Sequence, residues 1–280
     1  MIVWLASYPK SGNTFLRSLL STYFFSDDGI FNFELLKNIS QFPDKVFFKG
    51  LNVDFNNNID IAKNCIIAQS RLNQGPNTVQ FFKTHSSFYN IGGYNFTNLS
   101  NSLGVIYIVR DPRNIITSFA NHYSISLLDA KDLMTNDNWV IGKKEMKTFV
   151  SSWNFNYHSW KNSWKKFNDK FLLIRYEDLA NKTESVFLEI IRFLEKILNT
   201  KYNIDNEKLS KTLETTKFDV LKNLEQEEGF YESVLDPKTK KKKKFFLLGK
   251  RNDWRKILDK EIKKKIEERF KKEMIQLGYL

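Results

Sequence analysis

The stretch Ile2-Val3-Trp4-Leu5-Ala6-Ser7-Tyr8-Pro9-Lys10-Ser11-Gly12-Asn13-Thr14-Phe15 decides how this chain is read. Five apolar residues in a row lead into a Ser/Pro/Gly turn, and from Thr14 to Phe25 the apolar residues recur at helical spacing. That pattern predicts strand, loop and helix in succession. In such a loop a glycine lets the backbone approach a ligand closely while the amides of the helix start face outward, which makes a phosphate cradle. It is not the ATPase form. G-x-x-x-x-G-K-S/T is absent, and neither Gly142-Lys143 nor Gly249-Lys250 is followed by Ser or Thr.

The same unit recurs downstream. The apolar run Thr78 to Phe82 stops at Lys83-Thr84-His85, and Val105 to Val109 stops at Arg110-Asp111-Pro112 before the helical pattern Ile115, Ile116, Phe119, Tyr123. A fourth run, Phe171 to Ile174, stops at Arg175-Tyr176-Glu177 and precedes a periodic helix from Val186 to Leu198. Repeated strand–turn–helix units predict an α/β fold. The expectation is one domain over residues 1–280, with a central, mostly parallel sheet flanked by helices and a P-loop-like phosphate-binding loop after the first strand. Ligands of such sheets bind beyond the carboxyl ends of the strands, and each polar cluster follows a strand end, so the clusters are expected to converge on one site. Trp153, Trp160, Trp164 and Phe167 mark one helix face and read as core. The Asn-rich stretch 52–64 and the run 199–217 read as loops or short surface helices. A lysine-rich segment, Lys238-Thr239-Lys240 through Lys244, precedes the apolar Phe245-Phe246-Leu247-Leu248.

Composition narrows the function classes. The formal charge of +12 is unevenly placed: residues 1–140 hold 11 Lys/Arg against 10 Asp/Glu, and residues 141–280 hold 33 against 22. The basic half suits an anionic partner, which charge alone does not identify. A nucleic-acid binder fits poorly, because helices such as Lys260 to Lys272 mix Glu among the Lys in the manner of a solvated face. The one cysteine, Cys65, lies in an apolar run and reads as a small buried residue, with no disulfide or metal partner. No run approaches the roughly 18 apolar residues of a membrane span, and Ile2 to Ala6 is too short for a signal-peptide core. A cytoplasmic protein with no membrane span is expected.

Two loops together closely resemble the sulfotransferase family. Its 5′-phosphosulfate loop reads Y-P-K-S-G-T-T-W, and its 3′-phosphate segment reads R-D/N-P-K/R followed by a serine five residues on; this chain has Tyr8 to Phe15, and Arg110-Asp111-Pro112-Arg113 with Ser118. Lys83-Thr84-His85 resembles the family's K-T-H, and Arg175-Tyr176-Glu177-Asp178-Leu179 its Y-E-D-L/M. Thr216-Lys217-Phe218 resembles its T-S-F, and Asn252-Asp253-Trp254-Arg255 its G-D-W-K. The resemblance implies a donor, 3′-phosphoadenosine 5′-phosphosulfate (PAPS), used without a metal. Lys10, with the loop residues Ser11, Gly12 and Asn13 and with Thr14, would hold the 5′-phosphosulfate. Arg110 and Ser118 would hold the 3′-phosphate, a group ATP lacks; without that context, Arg110 reads equally as the partner of a carboxylate at a capped helix. Phe15, Tyr176 and Phe218 would wall the adenine, with Thr216 at the rim. His85 would be the general base and Lys83 would stabilise the sulfuryl oxygens. The acceptor would be a small molecule or glycan carrying a hydroxyl or an amine, and no nucleic acid.

The chain departs from the family pattern in two places. Leu247-Leu248-Gly249 stands where the family's lid reads R-K-G, so Lys250 or Arg251, turned back by Gly249, is expected to replace the lid arginine at the 3′-phosphate. The dimer motif K-T-V-E is not evident, which leaves the oligomeric state open. A nucleotide-dependent small-molecule kinase is the competing enzyme class, but it wants a Walker lysine and a magnesium-binding carboxylate, and neither is in place.

Overall fold

A computed structural model describes residues 1–72, 79–142, 146–165, 170–236, 239–249 and 252–280. In chain order its first half holds β1 (Ile2–Ser7), α1 (Asn13–Phe25), α2 (Asn58–Leu72), β2 (Gln80–Thr84), β3 (Asn90–Ile91), β4 (Tyr94–Asn95), β5 (Ser102–Val109), α3 (Pro112–Tyr123) and α4 (Leu127–Thr135). There follow β6 (Val140–Ile141), β7 (Thr148–Phe149), α5 (Trp153–Lys165), β8 (Phe171–Arg175), α6 (Tyr176–Asn181), α7 (Thr183–Leu198), α8 (Asn206–Thr215), α9 (Phe218–Glu228), α10 (Trp254–Ile257), α11 (Lys260–Arg269) and α12 (Lys271–Gln276). The chain divides into two compact units. The first comprises Met1–Asn13, Asn38–Val109 and Asn136–Asn203, and the second Thr14–Lys37, Arg110–Thr135 and Ile204–Leu280.

The first unit is built on a four-stranded sheet in the order β2–β1–β5–β8, every pair parallel. Each of the four apolar runs expected to be a strand falls on one of these strands, though β2 is shifted: it begins at Gln80 and takes in Lys83 and Thr84, which were expected to follow it, and Thr78 lies outside the described residues. Ile2 to Ala6 are all fully buried, as a parallel strand covered on both faces requires. The parity of β5 shows what covers each face. Gly104 abuts Ile197 and Phe193 of α7, whereas Tyr107, three residues on, packs at a tilt against Tyr157 and donates its hydroxyl to Asn156 Oδ1 (2.8 Å) on α5. On α5, Trp153, Trp160 and Trp164 are buried and serve as core, with Trp160 ringed by Trp4, Phe88 and Phe96; Phe167 lies outside the described residues.

The Asn-rich stretch, read as a loop or a short surface helix, is irregular over 52–57 and from Asn58 enters α2, a fifteen-residue helix with one buried face. Ile61, Ala62, Cys65 and Ala68 stand at i, i+1, i+4 and i+7 and are fully buried. Asparagine obscured that period because here it serves the helix itself: Asn57 Oδ1 accepts from the Ile59 amide (2.9 Å), and Asn64 Nδ2 donates to Asp60 O (2.8 Å). Cys65 is buried, and burial pushes its thiol pKa up to about 12, so it is an inert apolar residue at neutral pH.

The second unit is helical. Phe31, Phe33, Leu36, Leu221, Phe230 and Phe246 form its aromatic core, with Phe218, Leu224 and Phe245 packed against it. The run 199–217 contains α8, a surface helix capped by Asp205, which accepts from the Lys208 amide. No helix among the described residues is long and apolar enough to cross a membrane.

Candidate active site

The parallel register of the first unit aligns strand ends. Ala6 pairs with Thr84, so the next residues, Ser7 and His85, come level. His85 Nδ1 lies 2.9 Å from Ser7 O and 3.2 Å from Ser7 Oγ. A carbonyl oxygen only accepts, so Nδ1 carries the proton of the neutral ring and the lone pair falls on Nε2. Ser7 Oγ is itself fixed by Asn13 Nδ2 (3.1 Å), which also donates to Leu5 O (2.8 Å). The backbone after β2 is held by Asn156, whose Nδ2 donates to His85 O (3.0 Å) and Val150 O (2.8 Å). Lys83, two residues before His85 and still within β2, is buried; its amide and carbonyl bond Ser40 O and Phe42 N (2.8 Å each).

Between β1 and α1 the loop turns through left-handed backbone at Lys10 (φ 66°) and Gly12 (φ 98°). Tyr8 O accepts from the Ser11 amide (3.3 Å). Gly12 is required by packing as well as by φ: a Cβ there would come within 2.3 Å of Tyr176 Cδ2, so only glycine lets the Tyr176 ring lie on the loop. Ser11 is fully buried, and its Oγ has no hydrogen-bond partner among the described residues. A backbone cradle that a Cβ would fill, with an unspent hydroxyl inside it, fits an anionic group. Asn13 does a different job from its neighbours, because its side chain is turned back onto β1.

The remaining residues named from the sequence belong to the second unit. Arg110 follows β5 directly and is largely buried. The carboxylate at this capped helix serves Arg113: Asp111 caps α3 by accepting from the Arg113 amide (2.9 Å) and pairs with the Arg113 guanidinium (2.7 Å). Arg113 further bonds Glu267 (2.6 Å) and Tyr279 O (2.6 Å). Its guanidinium lies 4.0 Å from the Trp254 ring centroid, a stacked cation that fastens the chain's last helices to α3. Ser118 is half-buried on α3. Asn252 docks on the same helix, with Oδ1 accepting from Thr117 Oγ1 (2.5 Å) and Nδ2 donating to Asn114 O (2.8 Å). Gly249 (φ 52°) passes so close to Phe218 that a Cβ would meet its Cε1 at 2.4 Å. Thr216 is fully buried, and its hydroxyl donates to Thr212 O (2.7 Å). Phe15 is half-buried, and Thr14 Oγ1 donates to Glu232 Oε2 (3.3 Å). Lys250 and Arg251 lie outside the described residues.

Sequence reasoning missed Ser7, Asn156 and Glu232. Ser7 was within reach, because two parallel strands that end at Ser7 and Thr84 put their exits side by side. The other two carry no local signal. No group of three or more His, Cys, Asp or Glu able to hold a metal occurs among the described residues.

A parallel sheet with a left-handed backbone cradle after its first strand and a tautomer-fixed histidine at the next strand's exit defines a class. The family model described as the sulfotransferase domain matches residues 2–278, and the chain belongs to that family. A curated relative, the amine sulfotransferase of Oryctolagus cuniculus, is 25% identical over 219 residues, 77% of this chain, and the chain spans 63% of that relative's length. Among solved structures, a retinol dehydratase in complex with androsterone and inactive cofactor PAP matches with TM-score 0.61 and 18% identity, covering 98% of this chain and 80% of the other. A mouse sulfotransferase complexed with PAP matches with TM-score 0.60 and 18% identity, covering 97% and 83%. These two establish the fold.

Proposed function

We propose that the chain is a PAPS-dependent sulfotransferase that transfers a sulfuryl group to the hydroxyl or amine of a small-molecule or glycan acceptor. The observation that carries this reading is the Asn13–Ser7–His85 network. It ties the anion cradle of Lys10 to Gly12 to a histidine whose Nδ1 faces a carbonyl oxygen, so that in the neutral ring the lone pair lies on Nε2. The donor supplies a sulfur centre with a phosphate leaving group. His85 Nε2 removes the acceptor's proton as the acceptor's oxygen or nitrogen bonds to sulfur and the bond from sulfur to the 5′-phosphate oxygen breaks. Lys10 neutralises the charge that grows on that oxygen, and Lys83 balances the sulfuryl oxygens. Tyr176, Phe15 and Phe218 stack on the adenine, while Arg110 and Ser118 take the 3′-phosphate. The products are the sulfated acceptor and 3′,5′-diphosphoadenosine. The relative's name, amine sulfotransferase, supports keeping an amine among the acceptors.

Two anion sites set nucleotide choice. The protein is expected to bind 3′,5′-diphosphoadenosine at least about tenfold more tightly than AMP, without magnesium, and salt should weaken the diphosphate complex more. Calorimetry that finds equal affinities removes the second site from the reading. A 3′-phosphate monoester carries up to about two charges, more than Arg110 alone neutralises. Lys250 or Arg251 is the proposed complement, because the flanking Gly249 and Asn252 are fixed against Phe218 and α3. The double variant Lys250→Ala with Arg251→Ala should weaken the 3′,5′-diphosphate by about 1–3 kcal/mol and leave adenosine 5′-phosphosulfate nearly unaffected. Normal binding of both nucleotides would point instead to Lys240 to Lys244.

A further inference from the structure

Arg17 is almost completely buried on α1, one turn beyond Thr14, and on a helix those two side chains share a face. One carboxylate serves both. Glu232 Oε1 accepts from Arg17 Nη1 and its Oε2 accepts from Thr14 Oγ1. The other Arg17 amine group donates to Leu36 O (2.9 Å) and Tyr231 Oη (3.4 Å), and its Nε has no partner among the described residues. The first turn of a helix, a hydroxyl and a buried guanidinium form a seat for an anion, and the anion seated there belongs to the protein.

Glu232 is presented by a short turn that is pinned on both sides. Phe230 is buried in the aromatic core, and the Ser233 amide bonds Phe230 O (3.1 Å). Ser233 Oγ donates to Glu225 (2.7 Å), a carboxylate that also accepts from the amides of Phe245 (2.6 Å) and Phe246 (2.9 Å). With the backbone anchored at 230 and 233, the Glu232 side chain, which is partly exposed, leaves its seat by rotation about its own bonds alone.

We infer that Arg17 is a further donor-binding residue and that Glu232 is an internal anion held in its place, so that the anionic 5′ end of the nucleotide binds by displacing the Glu232 carboxylate from Thr14 and Arg17. This rests on the proposed function, under which Thr14 closes the phosphosulfate loop. While Thr14 spends its proton on Glu232 it cannot donate to a phosphate, and a carboxylate at that position repels one. Removing the carboxylate's charge leaves Arg17 as a buried cation without its counterion, a state that an incoming anion relieves.

The test is Glu232→Gln in the full chain, with calorimetry against 3′,5′-diphosphoadenosine and against adenosine. The expected result is about tenfold tighter binding of the diphosphate, with adenosine unchanged, together with a lower melting temperature of the unliganded variant and a larger rise on adding diphosphate. Adding Arg17→Gln to that variant should abolish the gain. A wild type that binds no diphosphate overturns the donor reading and this inference with it. If the wild type binds and Glu232→Gln binds no tighter, the displacement alone is overturned, and a gain that persists without Arg17 overturns the role given to Arg17.

Discussion

Turnover of a His85→Asn variant is expected to fall by about 10²-fold or more while the affinity for 3′,5′-diphosphoadenosine changes little. Asparagine is chosen because its amide can still donate toward Ser7 O, where His85 Nδ1 now lies at 2.9 Å. The strand exit therefore keeps its tie, and only the basic nitrogen is lost. The contrast with Ser7→Ala separates chemistry from scaffolding. That change removes the hydroxyl 3.2 Å from Nδ1 but keeps the carbonyl that fixes the tautomer, so turnover should drop far less. Product formation followed with labelled donor measures both, and a His85→Asn enzyme with wild-type turnover would move the base elsewhere.

The second large effect is expected at Gly12. A methyl group there meets the Tyr176 ring at 2.3 Å on a backbone with φ of 98°, so the substitution incurs both a clash and an unfavourable backbone region. The conformation costs about 1–2 kcal/mol for an L-residue, and relieving the overlap moves either the ring or the loop at about 1–3 kcal/mol. Gly12→Ala should therefore lower the melting temperature by on the order of 5 °C and weaken the diphosphate by on the order of 10²-fold, because the cradle and the stacking ring are displaced together. Pairing it with Tyr176→Ala removes the overlap and should recover only the part of the stability lost to it, and none of the affinity. Unchanged nucleotide binding in Gly12→Ala would mean that the loop is not the donor's cradle.

The architecture was legible because its signals are local. Ile2 to Ala6, Thr78 to Phe82, Val105 to Val109 and Phe171 to Ile174 are apolar-rich runs closed by polar residues, and where such a run is buried on both faces, as Ile2 to Ala6 is, it needs no distant information to be recognised. The loop from Tyr8 to Thr14 and the segment from Arg110 to Ser118 were legible for the same reason, each being a strand exit and the helix start that follows. The stretch 52–64 left loop and short helix both open, since its asparagines carry the composition of a loop while their side chains cap and brace a helix.

What the sequence determined by itself is the order of strands, turns and helices, the places where charge and glycine meet a helix start, and the family those places define. What only the tertiary structure decided is which atoms face each other across long separations. Ser7 meets His85 because two parallel strands are in register, and that meeting sets the imidazole tautomer. Tyr176 closes on Gly12 because β8 ends where α6 begins. Glu232 reaches Arg17 and Thr14 because Phe230 and Ser233 are anchored on either side of it. Each of these contacts depends on register and packing between segments far apart in the chain. A hydrogen bond of about 3 Å is set by that packing to within a few tenths of an ångström, whereas a periodic pattern of apolar residues fixes only which face is buried.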